Sequence, residues 1–129
     1  MPIRQLMAAG SILLIFLLIV GCSREPITDK PTLKTVSSES EALLRANSLG
    51  FHDFRRSQWP PVIARLAPQA VYADRAGLHI KMSSWFVAEE GYFVPRIGFP
   101  TVETAATDPS YKSIGYGVFW YRIKGSPSR

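Results

Sequence analysis

The sequence predicts an α+β domain in which two short N-terminal helices pack on a four- or five-strand antiparallel sheet. Apolar residues recur at helical spacing between positions 38 and 67, then alternate with a period of two from position 70 onward. A third observation sets this domain behind an unlike leader. The first 22 residues hold the one long apolar run of the chain, and its single cysteine closes that run.

The leader comes first. A short start carrying one positive charge (Arg4), an apolar stretch from Ser11 to Val20 and a small Gly21 before Cys22 follow the order of a secretory signal peptide. A membrane-spanning helix needs about 20 mainly apolar residues to cross roughly 30 Å of hydrocarbon. This core is shorter. Ile19, Val20, Gly21 and Cys22 resemble the lipobox of bacterial lipoproteins. The resemblance implies cleavage between Gly21 and Cys22, a diacylglycerol on the Cys22 thiol, and an acyl chain such as palmitate on the new amino terminus. One acyl chain binds a bilayer marginally, whereas two or three hold it stably, because each buried methylene contributes about 0.8 kcal/mol. Many bacterial lipoproteins that stay in the inner membrane carry aspartate after the cysteine. Ser23 in that place implies the outer membrane, facing the periplasm. The mature part resembles, loosely, small uncharacterised bacterial lipoproteins.

Composition bounds the rest. With residues 1–21 removed, 14 Lys and Arg face 10 Asp and Glu, and the length suits one domain with a modest core. A lone cysteine permits no internal disulfide. The basic residues are dispersed and never form a run of five or more, whereas nucleic-acid binding calls for a basic face interleaved with stacking aromatics. The expected partners are the membrane, through lipid on Cys22, and an envelope protein, with no nucleic acid.

Residues 22–36 comprise the lipidated cysteine and then "SREPITDKPTLKTV", whose two prolines and five charges predict a flexible tether. The domain then spans residues 37–129. Ser38 and Glu41 stand three apart as in a capping box, Ala42, Leu43, Ala46 and Leu49 share a helical face, and Gly50 suits a helix end. A helix over 39–49 follows, and "FHDFRRSQW" either extends it or forms a second turn. Pro61 suits the first turn of a second helix, with Val62, Ile63 and Leu66 as its stripe and Pro68 as its stop.

Ala70 to Asp74 then reads as a strand and Arg75 to Gly77 as a turn. In the strand that follows, Leu78, Ile80 and Met82 face one side, while His79, Lys81 and Ser83 face solvent. In "WFVAEEGYFV" the polar Glu89, Glu90 and Gly91 predict the turn between two aromatic-rich strands. Residues 98–113 lack either period and read as a functional or loosely ordered loop. "SIGYGVFWYRIK" reads as a single strand with Gly115 and Gly117 on one face. Tyr116, Val118 and Trp120 are expected against the helices, leaving Phe119, Tyr121 and Ile123 as a half-exposed row. Phe119 and Tyr121 are therefore the candidate binding face.

The search for chemistry finds little. The chain has no G-x-S-x-G, no H-E-x-x-H, no phosphate-cradling glycine loop and no S-x-x-K. His52 and Asp53 are neighbours that would point about 100° apart on a helix, with no nucleophile spaced to complete a triad. Glu89 and Glu90 are the one pair of adjacent carboxylates. A metal site needs three or four converging ligands, so no metal or cofactor is assigned. The leading expectation is a non-catalytic binding or accessory module for another envelope component. A periplasmic hydrolase using His52, Asp53 or the Glu89 and Glu90 pair is one alternative, and a carrier of a small ligand or lipid is another.

Overall fold

The computed structural model describes residues 25–47 and 50–125. Its architecture is mixed α+β, with one main helix and a short second one packed on a six-strand antiparallel sheet. Gly21, Cys22, Leu49 and the cleavage position lie outside the described residues.

The main helix, α1 (Lys30–Ala46), starts well before the expected position. Asp29 caps it: its carboxylate accepts the Thr32 N–H at 3.1 Å and the Thr32 hydroxyl at 2.6 Å. Pro31 occupies the first turn, where its missing N–H is no loss. These are the residues whose proline and charge content suggested a tether. The tether reading fails from Lys30 onward, because Leu33, Val36, Ser40 and Leu44 form one buried stripe at spacings of three and four. Ser38 is mid-helix and donates its hydroxyl to the Lys34 carbonyl at 3.1 Å rather than opening a capping box.

Beyond α1, "FHDFRRSQW" is neither helix nor helix extension. It forms β1 (His52–Phe54) and a single 3-10 turn, Arg56–Gln58. Trp59 locks the turn by donating its indole N–H to the Phe54 carbonyl at 3.0 Å. The second helix, α2 (Pro61–Arg65), stands where Pro61 predicts it. Its first N–H groups are satisfied from another element: the Glu39 carboxylate on α1 accepts from Val62 at 2.8 Å and Ile63 at 3.2 Å. Orphan donors at a helix start need such acceptors, and this one also ties the two helices together.

The strands β2 (Ala70–Ala73), β3 (Gly77–Trp85), β4 (Ala88–Pro95), β5 (Ser110–Gly115) and β6 (Val118–Ile123) complete the sheet, in the order β1-β2-β3-β4-β6-β5. Two expected turns move. Glu89, Glu90 and Gly91 lie inside β4, and the β3–β4 turn is Phe86 and Val87. "SIGYGVFWYRIK" is a hairpin rather than one strand, with Tyr116 and Gly117 at its turn, both at positive φ. Part of the expected 98–113 loop is therefore β5.

Both helices cover one face of the sheet. There Leu33, Val36, Leu44 and Ile63 meet Val71, Leu78, Ile80, Val94, Val118 and Trp120. Trp120 lies edge-on to Tyr92, with ring centroids 5.0 Å apart. Between Lys81 and Ser83 the register of β3 slips against β4, forming a bulge. Gly91 stands opposite, where a Cβ would collide with the Ile80 carbonyl.

Two stability tests follow. Leu33→Ala should lower stability by about 2 to 5 kcal/mol in urea unfolding, as a fully buried truncation does, whereas a tether residue would change nothing. Gly91→Ala should destabilise the domain strongly while Gly50→Ala, with open space around its Cβ position, is tolerated. Indistinguishable midpoints for those two variants would contradict the β3–β4 register.

Candidate functional site

The second face of the sheet, away from the helices, carries the largest constellation of polar and aromatic groups. Strand alternation sends Tyr72 of β2, His79 of β3, Phe93 of β4 and Phe119 of β6 to this side in one cross-strand row. Tyr121 stands in the neighbouring row opposite Gly91. With no side chain at Gly91 in the way, Tyr121 reaches across β4 to meet His79 edge-on at 5.1 Å between centroids. Tyr72 stacks flat on the other side of the imidazole at 4.6 Å, and Phe93 tilts against it at 4.8 Å.

His79 is consequently 7% exposed, not the solvent-facing residue that the alternation predicts. Burial pulls its pKa below the ordinary histidine value, against the opposing pull of Asp74 and Glu89. Its Nδ1 is 3.7 Å from the Asp74 carboxylate, too far for a hydrogen bond, and that carboxylate is engaged in the β2–β3 turn, accepting from Ala76 and Gly77. The ring is held neutral, as an aromatic body among aromatics.

Glu89 closes the cluster. One carboxylate oxygen, Oε2, accepts hydroxyl protons from both Tyr72 and Tyr121 at 2.6 Å each. Burial is the first cause that raises the pKa of both phenols, and the bond to Glu89 is the second, so both remain protonated donors. Glu90 points to the opposite face, where it accepts from the Ser83 hydroxyl and pairs with Arg122 at 3.2 Å. Adjacent strand residues diverge in this way, so the two carboxylates do not flank a common substrate as an acid and base would. They meet only at the rim of a cleft of about 320 Å3 at the end of the β3–β4 hairpin, which Trp85 and Lys124 also line.

His52 and Asp53 diverge for the same reason. His52 lies on the helix side, edge-on to Phe54 at 4.5 Å, while Asp53 is exposed on the other. Of the candidate binding face, Phe119 is partly exposed, but Tyr121 is fully buried and belongs to the second core. The expectation of a half-exposed row there holds for Phe119 and is corrected for Tyr121: helices bury one face of the sheet, and its own rings partly cover the other. Among the described residues, no three metal-ligating side chains converge. Tyr72 and Asp74 carried no signal as site residues in the sequence. The available clue was that the supposedly polar face repeated large rings at 72, 93, 119 and 121.

No family model matches this chain, and no curated protein or solved structure matches it either.

The lowered pKa of His79 makes stability pH-dependent. The unfolded chain takes up a proton at roughly pH 6.5, whereas the folded domain resists until lower pH. The contribution is therefore complete above that value and is lost as pH falls through the folded pKa. Urea midpoints should drop between about pH 7.5 and about pH 5, and His79→Phe should flatten much of that drop. Parallel pH curves for the two proteins would reject His79 as its source.

Proposed function

We propose that this chain is a lipid-anchored protein of the bacterial cell envelope. Cys22 holds it at the periplasmic face of the outer membrane, and it acts by binding another envelope component rather than by catalysis. The observation that carries the reading is the run Ile19, Val20, Gly21 and Cys22, directly after an apolar core of signal-peptide length. The attachment is covalent and the binding domain follows it closely.

The state of the polar groups supports the binding reading over the hydrolase. The His79 ring is enclosed on its faces by Tyr72, Phe93 and Tyr121, and both tyrosine hydroxyls are committed to Glu89. The hydroxyls are therefore not free to act on a substrate, and the His79 Nδ1 is buried away from solvent. A carrier would need a dry cavity between helices and sheet. That space is occupied by Leu33, Val36, Ile63, Val71 and Ile80, all at 1% exposure or less.

In a bacterial host, Cys22→Ser should accumulate as unprocessed precursor and lose incorporation of labelled fatty acid, while the native chain sediments with outer-membrane markers. Labelling that survives the substitution would overturn the anchor. Glu89→Gln and His52→Ala should leave capture of envelope partners by the lipidated protein unchanged.

A further inference from the structure

We infer that the β3–β4 hairpin tip, Trp85, Phe86 and Val87, inserts into the same bilayer that holds the acyl chains of Cys22, so that the domain lies on the membrane surface instead of hanging from a tether. The inference rests on the anchor reading above and goes beyond it by assigning a second, non-covalent contact.

The tip is exposed and apolar in a way that the fold does not require. Trp85 is 77% exposed, Phe86 91% and Val87 66%. Two-residue hairpin turns favour Asn, Asp and Gly, because at least one of their residues takes positive φ. The β5–β6 turn obeys with Gly117 at its second position. Both turns set an aromatic ring at positive φ in their first position, Tyr116 at φ 55 and Phe86 at φ 54, but the β3–β4 turn follows it with Val87 where the other has glycine. Val87 packs against the bare backbone of Gly125, but neither packing nor turn chemistry accounts for the exposed rings of Trp85 and Phe86. Adjacent Trp and Phe are what a membrane interface selects, since their rings settle at the boundary of headgroups and acyl chains.

The route of the chain says which surface covers the tip. Before α1, Glu25 and Ile27 line a crevice with Leu66, Met82, Tyr92 and Trp120, and the Ile27 N–H donates to the Tyr92 hydroxyl at 2.8 Å. Segment 25–29 is therefore laid along the domain. Cys22 is three residues from Glu25, a reach of about 10 Å even when fully extended. Met82 is three residues before Trp85 on β3, also about 10 Å at strand rise. The lipid attachment is thus within reach of the end of the molecule that carries the hairpin tip. Acyl chains rooted there bring this end to the headgroups.

The charges at that end are compatible with contact. Glu90 is paired with Arg122 and Glu89 is hydrogen-bonded by two tyrosines, so both carboxylates are engaged. Lys124, on the rim of the same cleft as Trp85, makes no ion pair among the described residues and is placed to meet lipid phosphate.

The test uses full-length lipidated protein reconstituted into vesicles of phosphatidylethanolamine and phosphatidylglycerol. Cys22 is the chain's one cysteine, so acylation leaves no native thiol and Phe86→Cys supplies a unique site for an environment-sensitive fluorophore. Arg75→Cys, in the exposed β2–β3 turn, is the control. The label at 86 should shift to the blue and be quenched by brominated lipid, while the label at 75 behaves as in water. Water-like emission at both positions would overturn the docking alone. A blue shift at 86 that needs added envelope protein, absent with lipid, would overturn it in favour of a protein partner. A second label on Cys22 itself, seen by mass, would overturn the anchor and the docking with it.

Discussion

The absent side chain at Gly91 is the constraint on which the rest of the structure depends. At the β3 bulge the Ile80 carbonyl occupies the space that a Cβ would take, so the two central strands meet there only because position 91 is glycine. On the second face the same absence leaves β4 bare between Glu89 and Phe93, and Tyr121 crosses that gap to reach His79 and Glu89. Register and second core therefore have one cause. A residue of any other type would push β3 from β4 at that point and disturb the strand over which the tyrosine crosses.

That arrangement explains how a small domain without disulfides covers much of both faces of its sheet. Helices cover one face by ordinary apolar packing, at roughly 25 cal/mol per Å2 of area removed from water. The other face has no helix. It covers itself with rings, and rings with polar tips need partners once buried. A single carboxylate oxygen supplies them for both tyrosines. The cluster resembles a reactive site in composition, yet its two tyrosine hydroxyls are committed to one carboxylate oxygen, and the His79 Nδ1 is buried with no hydrogen-bond partner.

The elements that the sequence made legible are those whose local signals agree with their tertiary setting. Pro61 begins α2, the Arg75 to Gly77 turn stands between β2 and β3, and Leu78, Ile80 and Met82 face the helices. The misread elements are those whose signals conflict. Pro31 and five nearby charges look like a linker, yet proline in a first helical turn is favourable and only Leu33 and Val36 at the right spacing betray the helix. Glu89, Glu90 and Gly91 have turn composition but strand geometry, because the bulge needs the glycine and the tyrosines need the carboxylate. His79 alternates onto the side that a two-layer fold would leave wet. Its burial follows from partners on β2, β4 and β6 that are far away in sequence.

Among the places where local rules are broken, three concern large side chains or whole segments, and two of them explain each other. A turn-like triplet inside β4 and a histidine within an aromatic layer are both consequences of the second core. The third, Trp85 and Phe86 at a hairpin tip, has no counterpart inside the domain: no buried residue needs those rings, and a polar turn would close the same hairpin with less strain. Where each local choice otherwise serves the global fold, a departure with no compensation in the fold is the mark of a site shaped by something outside it. The departure lies near the point where the chain leaves the domain toward Cys22. On the proposed anchor, acyl chains would fix the protein to a bilayer but leave it free to swivel, whereas a second apolar contact at a fixed place in the domain would set which surface faces outward. If the chain is the anchored binding module proposed above, that orientation would present the same face to its partner each time.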